Sequence, residues 1–238
     1  MSVSKEEVRQ SFKASVPIIL GYIVLGIPCG ILCAAAGMDM WMVVTMSVLF
    51  YSGTGQYMIP NMYLAANPLA AIIASVSLVN ARQMLYGASL AQFCGKMKKR
   101  YVFLFGATVT DETFGVSVAN FMNGCWTTNQ ALLINLISHG AWILSNVAGV
   151  LIGSIISLPT ALASFAMTSL FICLLCMEKV TTSNLVAAGV AILTVIACKL
   201  VGLNDPAIFI GAIVGIIAAV VYSIKFDKTK SSSISVEG

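Results

Sequence analysis

Residues 101–122 read YVFLFGATVTDETFGVSVANFM, and this stretch decides how the chain folds. The run is long enough to cross a hydrocarbon core about 30 Å thick, and its two ends are aliphatic and aromatic. Its centre is different: Thr110, Asp111, Glu112 and Thr113 set two adjacent carboxylates at mid-length. A charged side chain at the middle of a bilayer costs about 2.5–3.5 kcal/mol on insertion scales, and chains that keep one there generally use it. The apolar stretch before it carries the complementary charge. Between Ala14 and Gly95 the charged side chains are Asp39, at a segment edge, and Arg82, inside a run. Between Tyr101 and Met177 the acid pair stands alone. Charges placed in this way point to a substrate or ion pathway through a membrane.

Composition excludes a soluble globule. The 238 residues are 59% hydrophobic and 9% charged, with a mean hydropathy of +0.95. Soluble domains carry about 25% charged residues, so the polar surface here is too small to face water. The net charge of +4 is gathered beside apolar runs, at Lys96, Lys98, Lys99 and Arg100 and again at Lys225, Lys228 and Lys230. Such clusters read as cytoplasmic flanks of membrane spans and not as a nucleic-acid surface. Cys29, Cys33, Cys94, Cys173, Cys176 and Cys198 lie in or at the ends of apolar segments and read as small packed hydrophobes; Cys125 falls in a polar connection. Cys173 and Cys176 have CxxC spacing without a second Cys or His pair nearby, so no metal site is expected. The apolar run after Lys13 is longer than a secretory leader's core, and similar runs follow it.

The chain divides into a polar start at 1–14, a transmembrane region at 15–225 and a tail at 226–238 expected to be disordered and cytoplasmic. Ser4-Lys-Glu-Glu7 has the pattern of a helix capping box, and Val8, Phe12 and Val16 recur every fourth residue, which predicts a helix on the cytoplasmic interface. About eight apolar segments follow, near 15–36, 41–64, 68–94, 101–122, 130–157, 159–177, 184–201 and 206–224. The expected fold class is therefore an all-α integral membrane protein. Charge parity adds a constraint. If every segment crosses once, the Lys96–Arg100 cluster falls outside, against the positive-inside rule. Parity returns if one segment before it and one after it do not cross. The second and fourth segments are the candidates for broken or re-entrant helices, because Ser52-Gly-Thr-Gly-Gln56 and Thr110-Asp-Glu-Thr113 make both polar at mid-length. Gly53 and Gly55 also suit plain close packing of helices.

The third segment contains Asn80-Ala-Arg-Gln-Met-Leu-Tyr86, which puts Arg82 and Tyr86 one helical turn apart on one face. A guanidinium offers a rigid fork for a carboxylate, and Asn80, Gln83 and Gln56 add amides. Arg82 thus either holds a substrate carboxylate or forms a structural ion pair with Asp111 or Glu112, and the two roles are compatible. Asp111 and Glu112 diverge by about 100° around a helix, so one can pair with Arg82 while the other is left to titrate. Thr108 and Thr113 are candidates to hydrogen-bond the acids. His139 is the one histidine and can relay protons or sit neutral against a carbonyl. Asn135, Trp142 and Asn146 continue its face. The sequence has no GxSxG, HExxH, P-loop or dinucleotide fingerprint, so an enzyme is not expected.

These motifs carry a family resemblance. Pro17-Ile-Ile-Leu-Gly21, Gly26-x-x-x-Gly30, Ser52-Gly-Thr-Gly-Gln56, Asn80-Ala-Arg82, Leu85-Tyr86-Gly-Ala-Ser-Leu90 and Thr110-Asp-Glu-Thr-Phe114 follow the order and spacing of AzlC-like proteins. That family comprises the larger subunit of bacterial branched-chain amino acid exporters, and the likeness spans roughly residues 11–225. This chain departs from it at Ser52–Gln56, where the family usually has Ala-Gly-Ala-Gln, and at Gln83, where a histidine is common. The resemblance implies a multi-pass protein of the bacterial cell membrane that exports leucine, isoleucine, valine or a similar apolar amino acid such as methionine, driven by an ion gradient. It also implies a partner, a small AzlD-like membrane subunit, and no cofactor. The resulting expectation is substrate contact through Arg82, Asn80, Gln56, Tyr86, Gly53 and Gly55, and proton coupling through Asp111, Glu112 and His139. An accessory membrane subunit and a passive channel for small solutes are the alternatives.

Overall fold

The computed structural model describes residues 4–95, 98–124, 126–155, 181–201 and 207–234, together with 165, 168, 169, 172 and 176. All regular elements among the described residues are helices. Helix α1 spans Lys5–Ala35 and begins on the capping box read from the sequence. Ser4 Oγ accepts from the Glu7 amide at 3.1 Å, and the Glu7 carboxylate accepts from the Ser4 amide at 2.7 Å. The helix then continues without interruption from this polar turn into the first apolar run.

The spine of the first unit, which ends at Phe171, is α1 packed along α7, Thr128–Ile155. The contact is made by small residues. A Cβ placed on Gly30 would lie 2.1 Å from the Asn146 carbonyl oxygen, and one on Gly149 would lie 2.2 Å from the Ile27 carbonyl oxygen. In lipid, helices gain little by hiding apolar surface from one another, so close backbone approach and the dispersion it allows hold them together. Around this contact Ile18, Tyr22, Leu32, Cys33, Ile134 and Trp142 form one buried cluster. Cys29, Cys33 and Cys94 are buried and unpaired.

Two of the apolar segments are interrupted. Residues 41–64 form α2, Met40–Leu49, and α3, Gly53–Leu64, with a gap at 50–52. After α4, Leu69–Ala91, residues 101–122 form α5, Lys99–Ala107, and α6, Asp111–Met122, with a gap at 108–110. Side chains at each gap compete with the helix for backbone groups. Ser52 Oγ accepts from the Gly55 amide at 3.1 Å, and Thr110 Oγ1 accepts from the Thr113 amide at 3.4 Å, so each starts a new helix as its N-cap. Thr108 Oγ1 donates to the Leu104 carbonyl at 2.7 Å and closes the end of α5.

The second unit, Ile172–Gly238, contains α8, Thr182–Leu200, and α9, Ala207–Ile234. They pack at Gly211 and Gly215, where an added Cβ would come within 2.5 Å of the Val195 side chain and 2.8 Å of the Ala187 carbonyl. The helix α9 runs to Ile234, into the stretch read from sequence as a tail. Among the described residues four helices, α1, α4, α7 and α8, are long and apolar enough to cross a membrane. The segment read at 159–177 lies largely outside the described residues, as do Lys96, Cys125 and Cys173.

Candidate functional site

Both helix gaps open toward the same stretch of α4. Arg82 Nη2 lies 2.9 Å from Asp111 Oδ2 and donates to Thr54 Oγ1 at 3.3 Å. One guanidinium therefore ties α4 to the first turns of α3 and α6. One helical turn further along α4, Tyr86 donates to Asp111 Oδ1 at 2.7 Å. Both oxygens of Asp111 are thus engaged by α4, and the Tyr86 ring is stacked on Phe114 at 4.4 Å. The Arg82 Nε is shielded and has no hydrogen-bond partner. The carboxylates also suit their position, because the first turn of a helix is its positive end.

Glu112 points away from this pair, as the angular step between helix neighbours requires. Tyr22 of α1 donates to Glu112 Oε2 at 2.9 Å, and its oxygen lies 2.8 Å from Thr110 Oγ1. A phenol has one proton, so with Tyr22 donating to Glu112 the Thr110 hydroxyl donates to Tyr22. The Tyr22 ring meets Trp142 edge-on at 5.3 Å and Tyr51 edge-on at 6.3 Å. Tyr51 sits in the α2–α3 gap with 6% of its surface exposed. Its hydroxyl has no partner at hydrogen-bonding geometry, although the Tyr22 and Thr110 hydroxyls are near it. Its ring stacks on His139 at 4.2 Å, and His139 Nε2 faces the Ser47 carbonyl at 2.8 Å. A carbonyl only accepts, so Nε2 carries a proton there.

The remaining residues expected from sequence shape the α2–α3 gap. Gln56 is fully buried; its amide oxygen accepts from Trp142 Nε1 at 2.9 Å and Ser47 Oγ at 3.2 Å, and its amide nitrogen donates to the Phe50 carbonyl. It is a strut across the gap with its hydrogen-bonding spent on protein. Asn80 accepts from Ser52 Oγ and donates to the Val76 carbonyl at 2.9 Å. Gly55 is forced by space, since a Cβ there would lie 2.7 Å from the Phe50 ring and 2.8 Å from Asn80 Nδ2. Gly53 is not: its nearest neighbour would be Trp142 at 3.6 Å.

Arg82, Tyr86 and Asp111 are therefore in direct contact, Glu112 adjoins them through its own helix, and His139 reaches the group through Tyr51. Sequence reasoning missed Tyr22, Tyr51 and Thr54, which hold or flank the charges. The available signal was weak, a lone tyrosine in an aliphatic segment and another beside Ser52. Thr108 and Thr113 do not bond the acids as expected from sequence. Thr108 is turned to the end of α5 and Thr113 to the N-cap Thr110, because the helix break claims both hydroxyls. Along α7, Asn135, Ser138 and Asn146 are wholly buried, and each keeps one oxygen without a protein partner. Among the described residues no three His, Cys, Asp or Glu side chains are grouped to hold a metal.

Comparison with known proteins gives the same direction. The family model described as AzlC protein matches residues 17–156. An uncharacterized membrane protein of Helicobacter pylori (strain ATCC 700392 / 26695) is 30% identical over 80% of this chain and 83% of its own length. The branched-chain amino acid transport protein AzlC of Bacillus subtilis (strain 168) is 30% identical over 69% of this chain and 65% of its own. The inner membrane protein YgaZ of Escherichia coli (strain K12) is 28% identical over 60% of this chain and 59% of its own. No solved structure matches.

Proposed function

This chain belongs to the AzlC family, and on that footing we propose that it is a secondary active transporter subunit of the bacterial cell membrane, exporting branched-chain or similar apolar amino acids against an inward proton gradient. The observation that carries the reading is Arg82, a guanidinium on a long apolar helix, positioned where the first turns of α3 and α6 meet α4. Asp111 engages it through Nη2, and a guanidinium carries further N–H donors that suit a substrate carboxylate. Starts of broken helices add partial positive charge at such sites in transporters. The aliphatic and aromatic residues around the gaps suit an apolar side chain. The name of the Bacillus subtilis relative supports the substrate class.

In this reading α2–α3 and α5–α6 are re-entrant or broken at bilayer depth, and their freed backbone groups line the pathway. That arrangement keeps the Lys98–Arg100 and Lys225 flanks on the cytoplasmic side. Asp111 fixes Arg82, while Glu112 and His139 remain for the proton. A small AzlD-like membrane subunit completes the transporter, and exposed apolar residues such as Leu20, Val24, Leu144 and Leu151 offer surface for lipid or for that partner. The test is efflux from intact cells preloaded with leucine through a leucine dipeptide. Cells expressing the chain with the small subunit should clear leucine faster than cells carrying Arg82→Ala at equal membrane abundance. Equal efflux from both strains would contradict the reading.

A further inference from the structure

Asp111 and Glu112 are neighbours in sequence and opposites in environment, and that difference bears on how transport is coupled. Asp111 has both oxygens engaged, by Arg82 and Tyr86. Glu112 is exposed at the surface of the chain, takes one neutral donor, Tyr22, and forms no ion pair among the described residues. The groups that face it are Tyr22 from α1, Tyr51 from the α2–α3 gap and Tyr86 from α4, with Asp111 beside it and His139 of α7 behind Tyr51. The Tyr51 hydroxyl, buried and unpartnered, lies in the same corner. The start of α6 thus has a guanidinium at Asp111 and, one residue on, a carboxylate with no cation, which together offer the charge complement of an α-amino acid.

Resting on the export reading, we infer that the Glu112 carboxylate is a single seat taken alternately by the α-ammonium group of the substrate and by a proton. Both neutralise the same anion, so each weakens the binding of the other by the same factor. This sign matters. If the substrate carboxylate displaced Asp111 from Arg82, the released Asp111 would take up a proton more readily, and proton and substrate would travel together. Competition at Glu112 gives the opposite result, exchange, which is what export against an inward proton gradient requires. The proton is released to water when the ammonium arrives, and no bond other than O–H is broken. Tyr22 is a positioning residue, its hydroxyl donating to Glu112 Oε2 at 2.9 Å.

The experiment measures equilibrium binding to the full chain in lipid nanodiscs, with its small subunit co-expressed, from pH 4 to pH 8. The probes are leucine and 4-methylpentanoate, the same molecule without its amino group. For the wild type, leucine affinity should fall by about tenfold per pH unit on the acid side of the Glu112 titration. Glu112→Gln should bind leucine at least tenfold more weakly with no pH dependence, yet bind 4-methylpentanoate as the wild type does, which also reports an intact fold. If Glu112→Gln binds neither probe, Glu112→Asp decides: it keeps a carboxylate, so leucine binding should still weaken toward acid pH, and leucine binding by Glu112→Asp that does not change with pH overturns the inference. Wild-type leucine affinity and pH dependence preserved in Glu112→Gln overturns it too, while leaving the export reading intact. No binding of leucine, valine or methionine by the wild type at any pH removes the export reading itself.

Discussion

Gly53 and Gly55 are two residues apart in the first turn of α3, and the structure gives alanine opposite consequences at the two positions. Neither glycine has a positive φ, so the substitutions test space and not backbone strain. At Gly53 the new methyl would meet Trp142 at 3.6 Å, an ordinary contact. Removing a glycine from a helix then favours folding by up to about 1 kcal/mol. At Gly55 the methyl would fall 2.7 Å from two Phe50 ring atoms and 2.8 Å from Asn80 Nδ2. Overpacking of this kind costs about 1–3 kcal/mol. Displacing Asn80 also weakens its bond from Ser52, which is worth about 0.5–1.5 kcal/mol net. The helix gain is common to both substitutions and cancels, so Gly55→Ala should be less stable than Gly53→Ala by about 1.5–4.5 kcal/mol, roughly tenfold to two-thousandfold in the unfolding equilibrium. Unfolding in mixed micelles with increasing denaturing detergent, followed by tryptophan fluorescence, measures the difference. Gly55→Ala as stable as Gly53→Ala would refute the geometry assigned to the α2–α3 gap.

Gly30→Ala and Gly149→Ala press a methyl onto backbone, with no flexible atom to yield, so both should destabilise by about 3 kcal/mol, the upper end of overpacking costs, and lower the amount of folded protein recovered from membranes. Gln56→Leu keeps the volume but leaves the Trp142 indole N–H without its acceptor, a loss of about 1–3 kcal/mol that the same unfolding assay would detect. Arg82→Lys keeps the charge, and its ammonium can replace Nη2 against Asp111 and Thr54, but it loses the planar fork proposed to receive a substrate carboxylate; leucine efflux should fall at least about tenfold with protein abundance unchanged.

The all-helical class and the charged centre were legible because burying charge in lipid is costly enough to mark Arg82, Asp111 and Glu112 in the bare sequence. The spacing of Arg82 and Tyr86 also gave their shared face, and both do reach Asp111. Which acid would pair was not legible. Adjacent residues on a helix are equivalent until the direction of the helix start is known, and Thr110 sets that only by acting as N-cap. Tyr22 was hidden for a related reason: a tyrosine in an apolar run reads as packing, and its role depends on α1 passing the start of α6. Gln56 reads from sequence as a substrate contact because it lies in the polar centre of its segment, and its partners in the structure, Trp142, Ser47 and Phe50, were not legible there. Polar type was readable in each case; the partner needed the third dimension.

The central claim is tested most directly in inverted membrane vesicles containing the chain and its small subunit. Labelled leucine, valine and methionine are followed with the proton gradient imposed and then collapsed. The account predicts accumulation that depends on the gradient, saturates with substrate and is lost in Arg82→Ala at equal abundance. Accumulation that persists after the gradient is collapsed, or that Arg82→Ala supports fully, would contradict it.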